Sequence, residues 1–144
     1  RDDFALSHPG GNLGRRLLVK VRDIMHSGED IPRVAVGTSL AEALLEMSTK
    51  GFGLTTVLDA DKNLIGVFSD GDLRRTIDSG RNIQATLIED VMSLTYKFIS
   101  SNSLAAEAAR IMQESNVYVL IVIDEGQQVT GILKMHDLLQ ANVV

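Results

Sequence analysis

The densest group of chemically useful side chains in these 144 residues is Ser69-Asp70-Gly71-Asp72, followed at once by Arg74 and Arg75. An ionised carboxylate only accepts hydrogen bonds, so a single aspartate can take both hydroxyls of a vicinal diol such as that of a ribose, and Asp72 is the candidate for that task. Ser69 and the amides after it, at a helix start, suit a phosphate or ribose oxygen. Arg74 and Arg75 offer fork-like cationic contacts to the same anion. Ser69, Asp70 and Asp72 are equally the residues that cap a helix N-terminus, and the two roles are compatible. A thinner version of the group recurs near the end as Lys134, His136 and Asp137. Lys134 can reach a phosphate or carboxylate, or lie solvated along its stem. His136 can donate to a bound base or serve as a pH-sensitive contact, or be structural at a helix start.

Other chemistries find little support. His8, His26 and His136 have no metal-ligand spacing and no cysteine accompanies them, so no metal site is expected. Gly10-Gly11-Asn12-Leu13-Gly14 follows no strand and lacks both the Lys-Ser ending and the Gly-x-Gly-x-x-Gly spacing of phosphate loops, which makes it a linker. A net charge of −5 and the absence of tryptophan argue against a nucleic-acid reader. The composition, 44% hydrophobic and 23% charged, is that of a soluble globular protein, and no apolar run approaches the roughly 20 residues needed to cross a bilayer. The lack of cysteine suits a cytoplasmic protein. Arg1 is not a start methionine and no signal-peptide pattern follows it, so the sequence reads as an internal fragment.

The elements that must carry these side chains come twice. Asp23-Ile24-Met25 returns as Asp90-Val91-Met92, Ser39-Leu40-Ala41 as Ser103-Leu104-Ala105, Leu58-Asp59 as Ile123-Asp124, Gly66-Val67-Phe68 as Gly131-Ile132-Leu133, and Asp72-Leu73 as Asp137-Leu138. In the first copy Ser39 and Glu42 form a capping box ahead of a helix with Leu40, Ala43, Leu44 and Met47 on its apolar face. Lys50-Gly51-Phe52-Gly53 ends it; Leu54 to Leu58 and Leu64 to Phe68 are strands joined by the turn Asp59-Ala60-Asp61-Lys62-Asn63. A short helix over Leu73 to Ile77 stops near Gly80. The second copy repeats this with Leu104, Ala108, Ile111 and Met112 on the helix face, strands over Val117 to Ile123 and Val129 to Leu133, and a final helix over Asp137 to Ala141. The methionines fall on apolar faces or at the Asp-x-Met mark and read as packing residues. Each copy is small for a self-sufficient core, so the pair is expected to pack about a pseudo-two-fold axis, with ligand clefts between the copies.

Gly66-Val67-Phe68-Ser69-Asp70-Gly71-Asp72, with Asp-Ile-Met upstream and the duplication, resembles the CBS motif. The resemblance implies an α+β tandem CBS-domain pair of two β-α-β-β-α repeats, over residues 21–83 and 84–144, that binds adenosine or other nucleotides and passes occupancy to an attached protein. The stretch Phe4-Ala5-Leu6-Ser7-His8-Pro9-Gly10-Gly11-Asn12-Leu13-Gly14-Arg15-Arg16-Leu17-Leu18 is similar to the junction in D-arabinose 5-phosphate isomerases between their sugar isomerase (SIS) domain and their CBS pair, and Met135-His136-Asp137-Leu138-Leu139 to the end of those proteins. Residues 1–20 are accordingly expected to be the remnant of that linker.

That family converts ribulose 5-phosphate to arabinose 5-phosphate in the supply of Kdo for lipopolysaccharide. His8 would be catalytic only in the intact enzyme, where enolisation needs a base working near neutral pH; this chain is expected to be no enzyme itself and to need no cofactor. The expected ligand is CMP-Kdo or an adenine or cytidine nucleotide, held by Ser69, Asp70, Asp72, Arg74, Arg75, Lys134, His136 and Asp137. The expected partners are the SIS domain of the intact protein and a second CBS pair in a homodimer, with no nucleic acid and no membrane. The alternative is a ligand-free oligomerisation scaffold.

Overall fold

The computed structural model describes residues 17–144, and His8 and the segment before Leu17 lie outside the described residues. The chain separates into two compact units. One holds Ser27–Tyr96 with Asp124–Val129; the other holds, of the described residues, those up to His26 with Lys97–Ile123 and Thr130–Val144.

The first of these units is built on strands β1 (Arg33–Ala35), β2 (Leu54–Leu58) and β3 (Leu64–Ser69), in that order across the sheet. β1 runs parallel to β2 with Arg33 opposite Thr56, and β2 runs antiparallel to β3. Between β1 and β2 lies helix α2 (Leu40–Lys50), whose N-cap Ser39 accepts the Glu42 amide at 3.2 Å. Its C-cap Gly51 has φ +81°, the left-handed conformation that an L side chain resists. Leu40, Ala43 and Met47 of α2 are buried with Val57, Phe68 and Ile88, as the helical spacing predicts, while Leu44 is partly buried. Helix α3 (Asp70–Asp78) follows β3 directly.

The second unit repeats the scheme with β4 (Phe98–Ile99), helix α4 (Ala105–Ser115), β5 (Val119–Ile123), β6 (Val129–Lys134) and helix α5 (Met135–Gln140). It also contains helix α1 (Val21–Ile24), whose Val21 is buried in the same core as Ile99, Ala105, Ala108, Met112, Leu120, Val122, Leu133 and Leu138. One expected core residue departs from the pattern. Leu104 is 43% exposed, because α4 starts one residue later than its counterpart and Leu104 is itself the N-cap, its backbone bridged to Lys20; Ala105 fills the buried place. The expected strand from Val117 begins at Val119, since Asn116 turns left-handed at φ 56° and the Val117 amide is still bonded to Met112 of the helix.

The two Asp-x-Met marks take on a packing role. A Cβ at Gly66 would sit 2.6 Å from the Met92 Sδ and 3.0 Å from the Ser93 carbonyl; one at Gly131 would sit 2.5 Å from the Met25 Sδ and 2.8 Å from the His26 carbonyl. Each glycine of the Gly-hydrophobic-hydrophobic strand is thus the bare surface on which one methionine lies. Ladder bonds between Val67 and Ser93, and between Ile132 and His26, close the contact.

Candidate functional site

Ser69 ends β3 and is the N-cap of α3, so the strand delivers it to the helix start in extended conformation. Its amide and its hydroxyl both donate to Asp72 Oδ2, at 3.0 and 3.1 Å, and its hydroxyl accepts the Asp72 amide at 3.4 Å. This is a reciprocal capping box. The other carboxylate oxygen, Oδ1, takes Arg75 Nη2 at 2.5 Å from one turn along the helix. Asp72 is buried by these partners although Arg75 itself is 73% exposed. Asp70 and Arg74 are exposed; the Asp70 amide donates to the Gly53 carbonyl, which ties the helix start to the turn after α2. Asp70 also lines a groove of about 420 Å³ with Leu44, Met47, Ser48, Gly51, Gly53 and Leu73. The structure therefore brings Ser69, Asp72 and Arg75 together and turns Arg74 to solvent.

The equivalent corner of the other unit is built differently. Lys134 replaces serine at the N-cap of α5, and an ammonium group has no lone pair to offer the helix amides. Only the returning half of the box survives, with the Lys134 amide donating to Asp137 Oδ2 at 2.9 Å. Gln140 stands where Arg75 stands in the first copy and supplies no charge. The Oδ1 of Asp137 is taken instead by His26 Nε2 at 2.8 Å, from the segment after α1. Asp137 is 9% exposed and His136 is exposed on the outside of the helix.

His26 is the residue of this corner that sequence reasoning missed. Its signal was its place directly after the repeated Asp-Ile-Met, where the second copy has Ser93. A carboxylate offers about four lone-pair positions. Asp72 has accepted three donors from its own helix start, while Asp137 has accepted two. The two corners are alike in plan and unequal in remaining acceptor capacity.

A roomier cavity, about 470 Å³, lies at the far ends of β1 and β2, lined by Arg33, Val34, Leu58, Asp59, Lys62 and Gln128 among others. It contains none of the residues nominated from sequence. Among the described residues no cluster of three His, Cys, Asp or Glu side chains is placed to hold a metal, and no helix is long and apolar enough to cross a membrane.

The profile of the CBS domain family matches residues 21–79 and 88–143. Arabinose 5-phosphate isomerase KdsD of Pseudomonas aeruginosa is 50% identical over 143 residues, covering 99% of this chain and 44% of the relative. KdsD of Escherichia coli K12 is 46% identical, covering 99% and 43%. The chain thus spans less than half the length of these curated relatives. Among solved structures, CBSX2 in complex with AMP superposes with a TM-score of 0.73 at 24% identity, covering 87% of this chain and 96% of that one. The CBS domain pair of protein MJ0100, in complex with 5-methylthioadenosine and S-adenosyl-L-methionine, gives 0.74 at 18% identity, covering 85% and 94%. A conserved protein from Pyrococcus horikoshii gives 0.75 at 26%, covering 88% and 93%. The expected fold class stands: two CBS repeats, each with a three-stranded sheet and helices.

Proposed function

Because the chain belongs to the CBS domain family, we propose that it is the regulatory, nucleotide-sensing pair of an arabinose 5-phosphate isomerase, with repeats over 21–83 and 84–144. The observation that carries this reading is the pair of buried carboxylates, Asp72 and Asp137, each held at the junction of a strand and a helix by donors from its own unit. A carboxylate so held is pre-organised to accept the diol of a ribose, and Arg75 and Lys134 supply nearby positive charge for a phosphate or carboxylate. That CBSX2 and the MJ0100 pair carry adenosine compounds supports a nucleotide as the ligand class.

Within that class we favour CMP-Kdo, the activated end product of the pathway that arabinose 5-phosphate feeds. It presents a cytidine ribose to the aspartate and a carboxylate to Lys134. In this reading the conversion of ribulose 5-phosphate to arabinose 5-phosphate resides in the part of the relatives that this chain does not span, and His8 serves it there. The protein works in the cytoplasm, where that substrate is made. Regulation requires the ligand to prefer one arrangement of the attached domains energetically.

Thermal unfolding against AMP, ATP, CMP and CMP-Kdo tests the reading. A nucleotide at a hundredfold over its Kd adds about 2.7 kcal/mol to the stability of the bound state. One of the four is expected to raise Tm by several degrees and to lose this effect when Asp72→Asn and Asp137→Asn are combined. If none of them moves Tm, the nucleotide reading fails.

The scaffold alternative has its own supporting observation, the exposure of Leu45 on α2 and Ile77 on α3, two large apolar side chains on helices of one unit. Sedimentation velocity separates the two readings. A scaffold forms the same oligomer with and without nucleotide, and Leu45→Glu with Ile77→Glu dissolves it.

A further inference from the structure

The segment leading into the first repeat is sewn onto the unit that contains the last helix. Val19 accepts the Ala105 amide, Val21 and Arg22 donate to Ser103 and Ser101, and His26 exchanges two 2.9 Å backbone bonds with Ile132. The Met25 thioether lies on Gly131, and the His26 ring then reaches Asp137 Oδ1. The ring contact is the last link of this chain, and it falls on one of the two carboxylates of the proposed site. Asp137 lacks the arginine that holds Asp72, since Gln140 occupies that place.

Resting on the nucleotide reading above, we propose that His26 is the positioning residue of Asp137. It fixes the plane of the carboxylate so that the two remaining lone-pair positions face a nucleoside diol, and so makes the segment from Val19 to His26 sense the occupancy of the second repeat. The lone-pair count decides which corner takes the diol. Asp137 has accepted two donors and keeps room for both hydroxyls, whereas Asp72 has accepted three and must break a contact first. A diol on Asp137 therefore completes the carboxylate's bonding without displacing His26. By linkage, whatever tightens the His26 contact tightens diol binding, and diol binding tightens the docked segment in return. Gly131 bears no side chain and the backbone bridge to Ile132 does not depend on the imidazole, so the ring can be altered while the segment stays docked.

The test is calorimetric titration of the chain with AMP and with 2′-deoxy-AMP, in the wild type and in His26→Ala, His26→Gln and Arg110→Gln. Losing a hydrogen bond to a charged group is worth about one order of magnitude or more in an equilibrium constant. His26→Ala should weaken AMP about tenfold while weakening 2′-deoxy-AMP far less, so that the preference for the ribonucleotide collapses. His26→Gln, which keeps a donor, should restore part of it, and Arg110→Gln, at a surface ion pair away from the site, should leave the preference unchanged. In hydrogen exchange, AMP should slow the His26 and Ile132 amides of the wild type. A ribonucleotide preference that survives His26→Ala, with AMP still bound, overturns the positioning role and leaves the nucleotide reading standing. If the wild type binds none of AMP, ATP, CMP and CMP-Kdo, the nucleotide reading itself fails, and this inference with it.

Discussion

Asp72→Ala should destabilise the chain before any ligand is added, because the carboxylate that is proposed to bind a ribose is already the returning half of the capping box of α3. The substitution removes the acceptor for the Ser69 amide at 3.0 Å and for the Ser69 hydroxyl at 3.1 Å, and it releases Arg75. Ser69 remains as the N-cap, so the loss is that of the returning hydrogen bonds, about 0.5–1.5 kcal/mol. The Arg75 contact adds little, since that side chain is 73% exposed and exposed pairs contribute about 0–1 kcal/mol before screening. The helix has few other anchors. Of its nine residues only Asp72 and Thr76 are buried, and Thr76 is held through its own bond to the Asp72 carbonyl at 2.8 Å. The sum is about 1–2 kcal/mol, most of it from the returning half of the capping box.

Urea unfolding of the wild type, Asp72→Ala and Asp72→Asn measures it. Asparagine keeps an acceptor for the Ser69 amide and loses only the charge, so its cost should be about half that of alanine or less. A midpoint for Asp72→Ala equal to that of the wild type would refute the capping argument. So would Asp72→Asn as destabilised as Asp72→Ala, because charge and not the cap geometry would then carry the effect. The consequence for any binding study is direct: a loss of ligand response in Asp72→Ala mixes a loosened helix with a lost contact, and asparagine is the cleaner probe.

Three further outcomes follow from particular contacts. Gly66→Ala and Gly131→Ala each press a methyl group into a methionine sulfur and a backbone carbonyl, and calorimetry should find each about 1–3 kcal/mol less stable, with Gly131→Ala the worse because the His26 carbonyl stands closer. Asn116→Ala should cost about 1 kcal/mol in chemical unfolding, since φ 56° at the end of α4 suits asparagine and strains alanine, whereas Asn116→Gly should be neutral or better. The Arg110 guanidinium bonded to Glu107 holds that carboxyl below the usual glutamate range. Its small contribution to stability is therefore present above that range and fades as pH falls through the lowered value. A carbon-detected titration should show the low midpoint, and Arg110→Gln should move it back up with little change in Tm, because both side chains lie at the solvent-exposed surface.

What could be read from the sequence was what local patterning specifies. The β2 and β3 strands follow from apolar, β-branched runs flanking a turn whose Asp59 carboxylate takes the Asp61 and Asn63 amides, and α2 follows from Ser39 and its apolar spacing. Strands β1 and β4 are three and two residues long, too short for any period, and exist only because they pair in parallel with β2 and β5. The helix expected over Leu73 to Ile77 starts at Asp70, because Ser69 is its cap and the polar turn after it is already helical. Ser69, Asp72 and Arg75 were legible as a group because they recur three residues apart, each about one helical turn from the next. His26 was not, because its partner Asp137 is 111 residues away and only the docking of the leading segment joins them.

That docking also explains why the duplication carries its two most recognisable marks where it does. In the order of the chain, Asp-Ile-Met opens the first copy and Gly-Ile-Leu closes the second, yet Met25 and Gly131 meet in one compact unit; Met92 and Gly66 meet in the other. A glycine conserves space only if something fills it, and a flexible thioether is the side chain best suited to a gap with a carbonyl at its edge. The two marks are therefore one packing unit, written in two places. A substitution at either methionine should be felt at the strand bearing the glycine. Met25→Ala opens a gap on Gly131 beside the Ile132 bridge, one residue from the ring that holds Asp137, whereas Met92→Ala opens the same gap beside the Val67 bridge, followed by a serine. The two alanine variants should lose similar stability, about 2–3 kcal/mol for a methionine that is only partly buried. If the His26 contact serves ligand binding, only Met25→Ala should also lower the affinity for a ribonucleotide; equal losses of affinity would mean that general loosening, and not the docked segment, governs the site.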